Sequence, residues 1–229
     1  MKKANVQWFK RSFLLLMSVV LLLSFSLTAA ALEMDDDFEV DEIENPYTDV
    51  NEGMWSYEGI LYCYDQGVMT GTSETTFAPE VVMTRAMVVT ALYKLNNMPA
   101  VTYDAGFADV VKDSWYEDAV NWAAEKGLVN GVDTQNNFAP DRALRRDEFV
   151  TLLYRYEKTI HGDTTLGSLD GFLDGNTVAD WAKEGLRWGV YAGLLQGAPA
   201  EGGVVINPTG TADRQQAAVL MMRFMAFNI

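Results

Sequence analysis

The chain is short of the residues on which most polar chemistry depends. Among its 229 residues there is one cysteine, Cys63, and one histidine, His161. A lone thiol excludes an internal disulfide framework, and the spacing of Cys63 within the pattern described below makes it a small packed residue on a helix. A single imidazole with no second histidine or cysteine beside it is not a metal or catalytic centre, and His161 is read as an exposed loop residue. Positive charge is also scarce: 17 Lys and Arg stand against 32 Asp and Glu, a net charge of −15. That balance argues against nucleic acid as a partner. There is no G-x-S-x-G, no phosphate-binding glycine loop and no zinc spacing, so neither an enzyme nor a cofactor is expected. In so acidic a chain, paired carboxylates carry no weight for glycosidase chemistry.

The chain does have an apolar run from Phe13 to Leu27, preceded by Lys2, Lys3, Lys10 and Arg11 and followed by the small-residue stretch Thr28 to Ala31. These are the three parts of a secretory signal peptide over residues 1–31, with an uncleaved membrane anchor as the competing reading. Cleavage removes four cations and no anion, which takes the net charge from −15 to −19. Residues 32–45, mostly E-M-D-D-D-F-E-V-D-E-I-E, form a like-charged spacer. The run lacks the glycine turn and the ordered spacing of a calcium loop.

Beyond residue 45 the dominant feature is repetition. The window from Trp115 to Gly131 recurs at identical length from Trp55 to Gly71 and from Trp181 to Gly197, each copy ending in two glycines four apart. An Asp precedes each Trp (Asp49, Asp109, Asp174), and a Pro followed six residues later by an Arg comes after it, at Pro79/Arg85, Pro140/Arg146 and Pro208/Arg214. Copies one and two are offset by 60 to 61 residues, whereas the third drifts from 65 at the Asp to 68 at the Arg. Self-similarity at a fixed period indicates one supersecondary unit used three times, over residues 46–98, 106–158 and 171–229.

Each unit is predicted to be a helix, a loop and a second helix. Ala119, Trp122, Ala123 and Lys126 share one face of the first helix, and Glu117, Asp118, Asn121 and Glu125 lie mostly elsewhere around it. Gly67, Gly127 and Gly193 stand where a helix end needs positive φ. The second helix starts at the Arg, after Thr84 in the first copy, Asp213 in the third, and Arg145, a poor N-cap, in the second. Gly185 and Gly189 inside the third copy's first helix disfavour that helix by about 1 kcal/mol each relative to Ala.

The set of Asp, Trp, Gly and Arg repeated three times is the candidate binding site. An indole face can stack on the C–H face of a sugar, a guanidinium can grip a carboxylate with two parallel hydrogen bonds, a carboxylate can accept from hydroxyls, and glycine admits close backbone approach. The three Trp are equally compatible with a core role. An Arg at a helix N-terminus is electrostatically unfavourable, so its presence three times points to an anion.

The pattern F-x-D-V, Trp, a helix ending G-x-x-x-G, F-x-P and T-R-A-E resembles the S-layer homology module over roughly residues 46 to 227. The resemblance implies an all-α fold, with three helix-loop-helix repeats in a pseudo-threefold prism around a central three-helix bundle. It implies a secreted protein at the bacterial cell wall that binds secondary cell wall polysaccharide, often through a pyruvylated sugar, in grooves between modules. Carried onto this sequence, the binding residues are Asp49, Trp55, Gly71, Arg85, Asp109, Trp115, Gly131, Arg146, Asp174, Trp181, Gly197 and Arg214. Met87, Arg145 and Gln216 depart from T-R-A-E. The alternative function is an extracellular module that binds a partner protein, its sugar grooves degenerate.

The N-terminal reading predicts that mass spectrometry of the exported protein finds a new N-terminus near Leu32 or Glu33. Intact Met1 in a membrane fraction would establish the anchor instead.

Overall fold

Among the described residues, glycine, proline and capping residues divide the chain into six α-helices. The computed structural model describes residues 43–227, and Asn45–Phe227 form one compact unit. The expected signal peptide and most of the acidic spacer lie outside the described residues. The helices are α1 (Tyr57–Asp65), α2 (Arg85–Leu95), α3 (Glu117–Glu125), α4 (Arg146–Ile160), α5 (Asp180–Tyr191) and α6 (Arg214–Phe227), with a 3-10 turn at Gly175–Thr177. Among the described residues no helix is long and apolar enough to cross a membrane.

One element departs from the all-α expectation. Strands β1 (Ala198–Ala200) and β2 (Gly203–Val205) form an antiparallel hairpin in which Ala198 faces Val205 and Ala200 faces Gly203. The third copy's extra residues supply its turn at Glu201 and Gly202, where Gly202 has φ +85°.

The first helix of each copy ends on a left-handed glycine: Gly67, Gly127 and Gly193 have φ of 67°, 68° and 71°. A Cβ at any of the three would meet nothing within 4 Å, so backbone conformation and not space requires glycine there. The apolar face of α3 is buried at Ala119, Trp122 and Ala123, but Lys126 is exposed just past the helix end. Asn121, expected on the wet face, is buried because the incoming linker covers it: its Oδ1 accepts from the Ala105 N–H at 3.0 Å.

At the second helices, Thr84 Oγ1 accepts from the Met87 N–H, and Asp213 accepts from the Gln216 N–H at 2.8 Å. Arg145 has no acceptor to offer as a cap, and only the reverse half of a capping box forms there, with Glu148 accepting from the Arg145 N–H at 3.1 Å. Arg145 instead pairs with the buried carboxylate of Asp147.

Packing runs forward from copy to copy. Helix α2 packs on α3, α4 packs on α5, and α6 returns to α1. The free N–H groups at the start of each second helix donate to the loop of the following copy. Arg85 N–H bonds to Arg142 O and Ala86 N–H to Pro140 O, Arg146 N–H to Gly210 O and Asp147 N–H to Pro208 O, and Arg214 N–H to Val81 O and Gln215 N–H to Pro79 O, all at 2.8 to 3.1 Å. Just ahead of these helices, Leu144 N–H donates to Met83 O, Met83 N–H to Ala212 O and Ala212 N–H to Leu144 O, a closed ring of three bonds. All three residues are buried. One apolar core runs through all three copies and contains Ile60, Leu92, Trp122, Leu153, Trp188 and Phe224, and Tyr156 of α4 meets Phe224 of α6 edge-on at 5.7 Å. Fully burying each such side chain contributes about 1.5 to 3 kcal/mol.

Small residues let the helices approach. A Cβ on Gly59 of α1 would lie 3.0 Å from Val219 Cα of α6, and one on Gly185 of α5 would lie 2.9 Å from Thr151 Cα of α4. Gly185→Ala gains about 1 kcal/mol of helix propensity but forces backbones apart, at about 1 to 3 kcal/mol. Thermal unfolding of this variant is expected to begin several degrees below the parent. A melting temperature above the parent's would show that the contact relaxes freely.

Candidate functional site

The three aspartates are anchors for the loops that precede the second helices. Asp49 accepts from the N–H groups of Phe77 and Ala78 at 2.8 and 2.7 Å, Asp109 from Phe138 and Ala139 at 2.6 and 2.7 Å, and Asp174 from Ile206 and Asn207 at 2.8 and 2.7 Å. The second residue of each pair is left-handed, with φ of 58° at Ala78, 59° at Ala139 and 53° at Asn207. A charged acceptor for two adjacent N–H groups offsets the 1 to 2 kcal/mol that a non-glycine residue loses there, roughly. Both oxygens of each carboxylate are therefore engaged by the backbone.

The arginines cross from one copy to the next. Arg85 Nε donates to Phe138 O at 2.9 Å, Arg146 Nε to Ile206 O at 3.0 Å and Arg214 Nε to Phe77 O at 2.8 Å. The accepting residue is in each case the one whose N–H the aspartate holds. Arg214 also donates to Thr70 O at 2.7 Å. The Arg85 and Arg214 guanidiniums stand over the Phe138 and Phe77 rings at 4.8 and 4.4 Å, a stack that Arg146 lacks because Ile206 replaces the phenylalanine.

Arg85 is 8% exposed and Arg214 is 6% exposed, Arg146 is half-buried, and none of the three forms an ion pair among the described residues. Burial lowers the pKa of each from the ordinary arginine value, and the charge of Arg142 lowers that of Arg85 further. A guanidinium cannot shed its proton in a protein. These are cations largely removed from water whose Nε hydrogen bonds go to carbonyl groups, with carboxylates acting on them only through space and none in an ion pair with them among the described residues, an arrangement that can accept an incoming anion.

The tryptophans lie outside the core. Trp55, Trp115 and Trp181 are 64%, 62% and 51% exposed, whereas Trp122 and Trp188 fill it. Trp115 meets Tyr116 edge-on at 5.2 Å, and Trp181 faces the Arg145 guanidinium at 5.9 Å. The second glycines serve close approach of the chain to itself: a Cβ on Gly71 would lie 2.4 Å from Ser73 O, one on Gly131 2.9 Å from Asn136 Oδ1, and one on Gly197 2.9 Å from the Phe172 ring.

One cleft of about 390 Å³ brings members of the set together from three different copies: Trp55 of the first, Arg146 of the second and Gly197 of the third. Asn207, Thr211, Gln216 and Arg223 also line it and are not among the binding residues expected from the sequence. Arg223 was legible in principle, since Lys94, Arg155 and Arg223 each lie nine residues after a repeated arginine.

The S-layer homology domain matches residues 46–86 and 106–150. The chain is 32% identical to the surface-layer 125 kDa protein of Lysinibacillus sphaericus over 170 residues, which is 74% of this chain and 14% of that protein. It is 27% identical to exoglucanase XynX of Acetivibrio thermocellus over 177 residues, 76% of this chain and 16% of the relative. It is also 27% identical to the S-layer protein sap of Bacillus anthracis over 177 residues, 75% of this chain and 20% of the relative. The chain thus spans less than a quarter of the length of each of these proteins. The region from residue 171 lies outside the domain match, although its aspartate and arginine make the same backbone contacts as those of the two matched segments. The chain is a cell-surface protein that carries the S-layer homology domain in two segments, 46–86 and 106–150.

Proposed function

We propose that this chain attaches non-covalently to the bacterial cell envelope by binding a secondary cell wall polysaccharide, an anionic and pyruvylated polymer, and that it performs no catalysis. In this reading the repeats 46–98, 106–158 and 171–229 form a pseudo-threefold prism with α2, α4 and α6 as its central bundle. The polymer lies in grooves between them. The observation that carries the reading is the buried or half-buried arginine at each junction, Arg85, Arg146 and Arg214, held by carbonyl groups and without an ion pair.

Within each groove the arginine meets the carboxylate and an exposed tryptophan takes the sugar face. Glycine and the aspartate-anchored loop shape the wall. The surface-layer relatives support attachment as the task. The exoglucanase is matched over only 16% of its length, which supports a module that accompanies catalysis in that protein and does not perform it.

A net charge of −19 once residues 1–31 are removed opposes an anionic partner at long range. Screening confines that repulsion to about 8 Å at physiological salt, so short charge-assisted bonds inside a groove decide affinity. Moderate salt is accordingly expected to weaken binding little.

The test is titration of the secreted protein with purified wall polysaccharide before and after chemical removal of pyruvyl groups, repeated with Trp55→Ala and Arg146→Ala. Removal of pyruvate and Arg146→Ala are each expected to weaken binding by about tenfold to a hundredfold, from a charge-assisted contact of roughly 1.5 to 3 kcal/mol. Trp55→Ala is expected to weaken it by about two- to tenfold without altering the melting temperature. Undiminished affinity for the depyruvylated polymer would eliminate the carboxylate as the recognised group.

A further inference from the structure

We propose that a cavity on the third copy, outside the matched domain segments and separate from the junction arginines, binds a small carboxylate with an apolar body. Lys183 and Arg187 hold the carboxylate, and Leu169, Phe172 and Leu173 take the apolar part. The inference goes beyond envelope attachment and does not depend on it.

The cavity arises from residues that put the third copy out of step with the second. Asn121 and Arg187 each stand six residues after a repeated tryptophan, and each ties down the linker that crosses its helix. Asn121 accepts from the Ala105 N–H, whereas Arg187 Nε donates to Gly167 O at 2.9 Å and the Gly167 N–H donates to Arg187 O at 2.9 Å. From that crossing to the repeated aspartate, the second copy takes four residues, Ala105 to Asp109, and the third takes seven, Gly167 to Asp174. The surplus falls in the loop that walls the cavity opposite α5. Its volume of about 580 Å³ lies within the roughly 300 to 1,000 Å³ of small-molecule sites.

The loop is held by its own hydrogen bonds and by β2. Ser168 Oγ donates to Asp170 Oδ2 at 2.7 Å and accepts from the Asp170 N–H at 3.1 Å, the Phe172 N–H donates to Leu169 O at 3.1 Å, and the Leu173 N–H donates to Val204 O at 2.9 Å. Leu169 and Phe172 rest on the buried cluster that contains Val178, Ala182 and Leu186. Leu173 is left 52% exposed on the cavity wall. A large aliphatic side chain fixed in that position is apolar surface that a guest can cover at little conformational cost.

The charge comes from α5. Lys183 and Arg187 lie four residues apart on that helix, so they are neighbours on one face, and two cations at this spacing repel each other. The chain has 32 acidic side chains for 17 basic ones, yet Arg187 forms no ion pair among the described residues, and its guanidinium has only the Nε bond to Gly167 O. Lys183 pairs with Asp180 at 2.6 Å, but the Asp180 side chain is 96% exposed. A surface pair of that kind contributes little, so Lys183 can exchange it for a guest carboxylate. The free Nη edge of Arg187 offers that carboxylate a planar fork.

Two acids limit the charge of the guest. Asp170 lines the cavity and Asp180 stands beside Lys183, and both repel a doubly charged phosphate roughly twice as strongly as a carboxylate. A single negative charge on an apolar body fits the lining.

The test follows the Leu173 methyl resonances of the secreted protein labelled with ¹³C at its leucine methyls, assigned through Leu173→Val. The probes are N-acetylleucine, the uncharged N-acetylleucinamide, and acetate, which has the charge without the apolar body. N-acetylleucine is expected to shift these resonances saturably, and the amide and acetate to bind about tenfold more weakly. Lys183→Gln and Arg187→Gln are each expected to weaken N-acetylleucine by about five- to tenfold and to leave the amide unchanged. Melting temperatures establish that both variants are folded, and Lys183→Gln, which removes no bond to the loop, decides the matter if Arg187→Gln is not. Equal affinity for N-acetylleucine and its amide would overturn the cation pair, and acetate bound as tightly as N-acetylleucine would overturn the apolar wall. Absence of a saturable shift with every probe would overturn the site and leave the polysaccharide reading, tested at Arg146 and Trp55, standing.

Discussion

Three backbone hydrogen bonds organise this molecule. Met83, Leu144 and Ala212 each donate to one of the others and accept from the third, at 2.9 to 3.4 Å, in a buried ring just ahead of the second helices. A ring of this kind closes only with three members. With one segment removed, a donor and an acceptor would be left without partners in the interior, at about 1 to 3 kcal/mol for each unsatisfied group. The first N–H groups of α2, α4 and α6 extend the same logic, because each helix has its orphan donors satisfied by the next segment's loop and not by its own.

That constraint explains the constant interval of six residues between proline and arginine. The carbonyls of Pro79, Pro140 and Pro208 receive the N–H of the residue after the arginine of the preceding segment, while the arginine of their own segment reaches forward in turn. Shortening or lengthening the interval would move acceptor and donor out of register around the whole ring. The aspartates serve the same loops from the other side by holding Ala78, Ala139 and Asn207 in left-handed conformations. Site and scaffold are consequently built from the same residues: an arginine whose Nε is bound to a neighbouring loop joins two segments and also leaves a positive charge at their boundary.

The three boundaries are not equivalent. Phe77 and Phe138 stack on Arg214 and Arg85, whereas Ile206 leaves Arg146 without a ring and less buried. Arg142, paired bidentately with Glu148, has Gly210 as its counterpart in the third segment. The third segment also inserts the hairpin whose first strand begins at Ala198, on the rim of the cleft. The copy that drifts furthest from the repeat spacing contributes to the cleft in which tryptophan, arginine and glycine from three copies are found together.

Much of this was legible from residue order. Repetition at a constant length identified the units, glycine spacing identified the ends of the first helices, and the caps marked the starts of the second, because these features depend on local backbone geometry. The deviations came from contacts between distant segments. Asn121 is buried because a linker crosses it, and the hairpin forms because an insertion had room to pair with itself. Gly185 disfavours its own helix, yet the backbone of Thr151 leaves no space for a Cβ. By itself the sequence determined the paired helices, their threefold recurrence and the repeated aspartate, tryptophan, glycine and arginine. Only the tertiary structure decided that the aspartates face inward to backbone, that the repeated tryptophans stay exposed, and that Trp55, Arg146 and Gly197 line one cleft, since each of these depends on which segment packs beside which.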